Sequence, residues 1–200
     1  MPVHHLLICD SNANTIIERF YLTPEERKKE INSNDNSSRG RYMKHWNQRV
    51  ISLTRPTWSD AYRGIYQVAT VGNKFIVYIS SGKLLFIITG SEDCDDFGLK
   101  EVLETIINVF KETCFGKKNV GKILDEENVK KSFGKICVGL ECIIDGGIVD
   151  NLNVEFILLQ TKLKDLSKFE RDFKRKKKKS MIRVRYNINI YFLKIYLKLI

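Results

Sequence analysis

The stretch IYQVATVGNKFIVYISSGKLLFIIT, residues 65–89, sets the reading of this chain. It divides into three strand candidates, Ile65–Val71, Lys74–Ser80 and Leu84–Thr89. Between them stand Gly72-Asn73 and Ser81-Gly82, pairs suited to tight hairpin turns. The run Leu84-Leu85-Phe86-Ile87-Ile88 is apolar at every position. A half-exposed strand would alternate, so this one is expected at the centre of a sheet covered on both faces.

Upstream, Val3–Cys9 is a short apolar run that ends in Asp10-Ser11-Asn12-Ala13-Asn14, and Thr15–Leu22 follows with β-branched and aromatic residues. Two strands around an Asp/Asn turn predict an N-terminal hairpin. Thr23–Arg39 is polar and reads as a solvated insertion. From Arg41 the spacing becomes helical, with Met43, Trp46, Val50 and Leu53 on one stripe and Pro56 as the limit.

Downstream, two helices are expected near 98–115 and 124–145. Leu99, Val102, Leu103, Ile106, Ile107 and Phe110 share a face in the first. The second has Asp125 as N-cap and a stripe from Val129 through Phe133, Ile136, Cys137 and Leu140 to Ile143 and Ile144. Asp145-Gly146-Gly147 is expected to end it through a left-handed glycine cap. Leu152, Phe156, Leu159, Leu163 and Leu166 then recur at alternating steps of four and three, a narrow apolar seam suited to lying along a partner. The order β-β-α-β-β-β-α-α plus a terminal helix implies an α+β fold with a five-stranded antiparallel sheet, and the βαβ repeat of a nucleotide-binding fold is missing.

The net charge of +10 is not spread evenly. Residues 1–170 hold 23 Lys/Arg and 23 Asp/Glu, whereas residues 171–200 hold 11 Lys/Arg and only Asp172. The body is neutral and a basic tail, rich in Ile, Lys, Asn and Tyr, carries the excess. Lys176, Lys177, Lys178 and Lys179 are the candidate contact with an anionic surface. Ile188–Ile200 is too short, and too interrupted by Lys194 and Lys198, to read as a membrane span. Five cysteines without a CxxC, behind a start that lacks signal-peptide features, point to reduced thiols in the cytosol.

No motif carries catalysis. Gly116–Lys122 fits G-x-x-x-x-G-K, but a predicted helix leads into it and Ile123 stands where Ser/Thr should bind magnesium. Asp93, Asp95, Gly98 and Glu104 match part of a calcium loop, but Phe97 sits at a ligand position and the group reads as a helix-capping turn. His4, His5 and His45 have no partner at metal-ligand or triad spacing, and Cys137 reads as core. No cofactor and no nucleic-acid partner is expected.

Leu140-Glu141-Cys142-Ile143-Ile144-Asp145-Gly146-Gly147-Ile148-Val149 resembles the end of the last core helix of the coatomer zeta subunit, Asp-Glu-Ile-Val-Asp-Gly-Gly plus a β-branched residue. Glu141 and Cys142 depart from it. Leu6–Asp10 with Asn14, Lys44–Ile51 and Leu84–Ser91 are similar to the family's first hairpin, first helix and central strand. The likeness covers roughly residues 3–165 around the insertion. It implies a longin-like domain over residues 1–170, a non-catalytic small subunit of the COPI coat that pairs with the trunk of the gamma coat subunit. It further implies recruitment with the rest of the coatomer by an Arf GTPase, as a peripheral protein on the cytosolic face of Golgi membranes and vesicles in retrograde and intra-Golgi transport. Clathrin-adaptor sigma chains share the fold and stand as the nearest alternative. A small nucleic-acid- or membrane-binding protein acting through the tail is the alternative of a different class.

Overall fold

Alternation along three strands sorts the apolar residues into two layers. In the computed structural model, which describes residues 1–22, 36–91, 93–116 and 121–162, β1 (Val3–Cys9), β2 (Thr15–Phe20), β3 (Gln67–Val71), β4 (Lys74–Ser81) and β5 (Leu84–Gly90) form one sheet. Its order is β2-β1-β5-β4-β3 and every pairing is antiparallel. The central strand is β5, as its unbroken apolar run requires, and all seven of its residues are buried.

Register then builds rows. Leu6, Ile88 and Val77 lie abreast across β1, β5 and β4, as do Leu7, Ile87 and Tyr78 one step along. Because side chains alternate, the first row enters one core and the second row the other. The first core lies under α3 (Asp96–Phe115), α4 (Glu126–Ile143) and α5 (Val154–Gln160); the second lies under α1 (Asn36–Thr54) and the short α2 (Trp58–Tyr62). The described residues belong to one compact unit, residues 1–162.

The expected five-stranded antiparallel sheet with flanking helices is the observed α+β architecture. Its details differ at three places. Helix α1 is described from Asn36, inside the tract read as a solvated insertion; residues 23–35 lie outside the described residues. On α1, Trp46 and Val50 are buried, but Leu53 is 44% exposed and Thr54 takes the inward place beside it. Pro56 ends the α-helix as expected, and the chain continues as a 3-10 turn, Arg55–Thr57, into α2. The Thr54 hydroxyl bridges that break, donating to the Val50 carbonyl at 2.9 Å and accepting from Trp58 Nε1 at 3.0 Å.

The third difference concerns Asp145-Gly146-Gly147. The glycines do not cap α4, which ends at Ile143 with Ile144 already extended. They form the two-residue turn of a small hairpin, β6 (Ile144–Asp145) and β7 (Ile148–Val149). Both have positive φ, +56° and +97°, as a type I′ turn demands. The hairpin ties the end of α4 to the chain start: Val3 N–H donates to the Gly147 carbonyl at 2.7 Å and Val149 N–H to the Met1 carbonyl at 3.0 Å. At Gly147 an added Cβ would lie 2.7 Å from Tyr21 Cβ, so this position has neither the backbone freedom nor the space for a side chain.

Candidate functional site

The C-terminal helix of the described unit starts from its own caps. Asn151 Oδ1 accepts from Asn153 N–H at 2.7 Å, and Asn153 Oδ1 accepts from Phe156 N–H at 3.0 Å, satisfying orphan donors of the first turn. With only seven residues, α5 needs tertiary packing to persist. It gets this from one spot on α4. A Cβ at Gly139 would sit 2.9 Å from Val109 and close to Thr161 and Ile157, so the glycine is the point where α3, α4 and the end of α5 converge. Ile157 and Thr161 face inward there and are buried.

The seam predicted along this helix is therefore split. Leu152 packs half-buried against the core, whereas Phe156 and Leu159 are 47% and 58% exposed. The anchoring residue is Ile157, which the four-and-three spacing leaves out. Leu163 and Leu166 lie outside the described residues, as do Lys176 to Lys179. Beside Leu158 and Leu159 is a cleft of about 430 Å³ between the ends of α3 and α5 and the flank of α4. Its rim is charged, with Glu112, Lys135, Glu155 and Lys162, and its apolar part belongs to the two leucines. Thr113 Oγ1 is buried in its wall without a hydrogen-bond partner among the described residues. The arrangement is an apolar contact with a polar lip, the chemistry of a partner surface.

Exposed apolar side chains recur on the same side. Phe133 on α4, predicted as core, is 49% exposed, and Phe97 at the start of α3 is 80% exposed. Cys137, also expected inside, is half-buried, because the inward face of α4 runs through Val129, Ile136, Gly139, Leu140 and Ile143. Cations here are matched along the helix surface: Lys130 with Glu126 and Lys131 with Glu127, both at 2.7 Å, and Lys100 with Glu104 at 3.8 Å.

The residues weighed for chemistry are dispersed. Asp95 caps α3, accepting from Gly98 N–H at 2.6 Å, while Phe97 points to solvent and Glu104 pairs with Lys100. No group of three His, Cys, Asp or Glu residues among the described ones could hold a metal. Gly116 ends α3 with φ +68°, and residues 117–120 of the phosphate-loop look-alike lie outside the described residues. His4 packs tilted against Trp46, ring centroids 4.6 Å apart, and His5 against Phe20 at 4.2 Å, beneath α1 and across the sheet from α4 and Cys137. All five cysteines are free. Burial pushes the Cys9 thiol up to about 12 and raises Cys114 and Cys142 as well, so these three are poor nucleophiles. No described helix is long and apolar enough to cross a membrane.

Comparison with known proteins adds three findings. The model of the clathrin adaptor complex small chain family matches residues 2–170. The protein described as TSET complex member tstD, from Dictyostelium discoideum, is 24% identical over 170 residues, which span 85% of this chain and 98% of that protein. Among solved structures, a chain of the "Homology model of the full-length AP-3 complex in a stretched open conformation" is 18% identical with a TM-score of 0.44, covering 87% of this chain and 98% of that one.

Proposed function

The chain belongs to the clathrin adaptor complex small chain family, whose members are structural, non-catalytic subunits of vesicle coats, and on that premise we propose that it is the small subunit of a TSET-type coat complex. The observation that carries the choice of complex is end-to-end likeness: the matched region takes in 98% of tstD. In this reading residues 1–170 are the small-subunit domain, and residues 171–200 are a basic appendage. The protein works by holding a larger coat subunit, with the exposed Phe156 and Leu159 of α5 against that subunit's helical trunk. Two apolar side chains, half exposed beside a cleft with a charged rim, are what a partner's apolar surface would cover.

A second reading places the chain in the COPI coat, paired with the gamma coat subunit and recruited with the coatomer by an Arf GTPase to Golgi membranes for retrograde and intra-Golgi transport. The observation favouring it is Ile144-Asp145-Gly146-Gly147-Ile148, which resembles the helix end of the coatomer zeta subunit. Affinity capture of the full chain from its own cells separates the readings. Co-purification of TSET-type subunits supports the first, and recovery of the coatomer supports the second. Recovery of adaptor large chains would instead make it a sigma-type subunit, and recovery of no larger subunit overturns all three. Leu159→Asp sets a carboxylate in the contact. It should fold normally, since Leu159 is exposed, and yield of the large subunit should fall at least tenfold, as expected for loss of about 1.4 kcal/mol or more. Full retention of the partner would move the interface away from α5.

A further inference from the structure

We propose that the outer edge of β3 pairs with the same edge of a second copy of this chain, antiparallel about a two-fold axis at Ala69. Strands β3 and β4 are joined by the two-residue turn Gly72-Asn73, which makes Val71 and Lys74 the hydrogen-bonded pair that closes the hairpin. Bonding then alternates along the ladder. Val71, Ala69 and Gln67 turn their N–H and C=O groups toward β4, and Thr70 and Val68 turn theirs outward. Among the described residues no strand lies along that side, where Val68 is 49% exposed and Thr70 is exposed as well.

The two edges of the sheet are unlike. Strand β2 contains Glu18 and Arg19, and its register with β1 breaks between Ile8 and Cys9. Glu18 accepts from Asn47 of α1, and Arg19 meets Glu141 of α4 at 3.6 Å. Charges and bulges of this kind keep an edge strand from pairing with another chain. Strand β3 has neither: its register with β4 is unbroken, and residues 64–73 include no charged residue and no proline. Lys100 and Glu104, which reach Tyr66 just before the strand, are paired with each other at 3.8 Å.

A second copy fits this edge by its own sequence. With the axis at Ala69, Val68 of each copy faces Thr70 of the other. Both turn their backbone groups outward, so the two can exchange N–H···O=C bonds. The same register sets Ala69 against Ala69 and Gln67 against Val71, with no like charges opposed. Five residues of edge fall short of the roughly 1,000 Å² that a stable dimer buries, so the contact is weak between free chains. Its effect grows where many copies are held side by side, as in an assembled coat. The pairing joins one complex to the next, whichever coat complex holds the subunit.

The test is sedimentation of the full chain at rising concentration, up to about 1 mM, where a contact of this size shows as a dimer. Val68→Lys/Thr70→Lys opposes like charges at both cross-strand pairs and should weaken dimerisation about tenfold. Val68→Glu/Thr70→Glu should weaken it equally. An equimolar mixture of the two variants should dimerise at least as well as the unaltered chain, because each Lys then faces a Glu. Thermal unfolding of both variants should stay close to that of the unaltered chain, since the two side chains are exposed. Leu159→Asp should dimerise normally, and the Lys variant should still capture the large subunit, which keeps this contact separate from that of α5. A chain that is monomeric throughout the range overturns the proposal. So does a dimer that the charged variants leave intact or that their mixture fails to restore, since another surface then holds it. Loss of a co-purifying protein by the Lys variant, with self-association unchanged, also overturns it and assigns the edge to a strand from that protein.

Discussion

The two faces of the sheet differ in thickness and in the kind of charge they show to solvent. Over one face, α3, α4 and α5 bury an extended core reaching from Val3 to Ile157, with Phe86 and Phe110 edge-to-face at 5.3 Å. Its outer surface pairs cations with carboxylates and leaves phenylalanines and leucines in the open. Over the other face, α1 and α2 close a smaller core around Trp46, Val50 and Trp58, and Lys44, Arg49 and Arg55 stand exposed. Against this core lie His4 and His5, their rings tilted on Trp46 and Phe20. The two faces therefore differ in surface chemistry, with spare apolar side chains over one and exposed cations over the other.

The largest expected effect tests the difference in thickness. Phe110→Ala removes a fully buried ring from between helix and sheet and should cost about 3–5 kcal/mol in urea unfolding, near the top of that range. Trp46→Ala removes a larger side chain, but α1 can settle toward the sheet and shrink the cavity. Its loss should be smaller despite the greater volume. A larger loss for Trp46→Ala would mean that the thin layer is the more rigid one.

Gly147→Val comes next. It combines a φ of +97°, which a β-branched residue strongly resists, with a 2.7 Å approach to Tyr21. The loss should be about 1–3 kcal/mol, with the hairpin and the first residues of β1 losing hydrogen-exchange protection together. A milder pair lies within α4. Gly139→Ala meets Val109 at 2.9 Å and should cost about 1 kcal/mol or more while loosening α5. Gly134→Ala, with open space around it on the exposed side, should instead stabilise by about 0.5–1 kcal/mol. Equal effects at the two glycines would deny that α5 is held through that close approach.

The sheet was legible because β5 is apolar at every position and its turns are Gly-Asn and Ser-Gly, so periodicity and turn chemistry agree. The stripe of α3 was equally plain: Leu99, Val102, Leu103, Ile106, Ile107 and Phe110 are all buried. In α4 the pattern misled at Phe133 and Cys137, because apolar residues on the outer flank of a helix look like core when only their spacing is read. Gly139 was invisible for the opposite reason: a residue selected for the space it leaves carries no hydrophobic signal. The Asp-Gly-Gly turn was located correctly but given the wrong partner, since positive φ serves a helix cap and a type I′ hairpin alike. Ile157 escaped because the helix holding it is shorter than the leucine spacing suggests. The Lys/Arg excess of residues 36–90 is likewise hidden by a body whose total charge is zero.

Acid should separate the two faces with the smallest perturbation. His5 is fully buried, tilted against Phe20, with Nε2 3.5 Å from Glu18 and with Asn47 donating to the same carboxylate. Burial lowers its pKa below 6.5, outweighing the pull of Glu18 in the other direction. An unfolded chain therefore takes up this proton before the folded one does. The contribution to stability is complete above 6.5 and declines as pH falls from 6.5 toward the folded value. Glu18 acts in the same sense at lower pH: burial would raise it, yet the adjacent His5 ring and the hydrogen bond from Asn47 hold it below 4.5, so its contribution is lost as pH falls through its folded value. Both groups lie under α1, and so do both tryptophans, which makes indole fluorescence a report on that face alone. On lowering the pH from 7, fluorescence should change before far-ultraviolet dichroism does, because α3 and α4 hold most of the helix and their core buries no histidine among the described residues. His5→Leu should remove the part of this response that begins near 6.5 and leave a smaller carboxylate part, since Asn47 still donates to Glu18. If both signals move together in the unaltered chain, the two layers unfold as one, and the difference between them is confined to their surfaces.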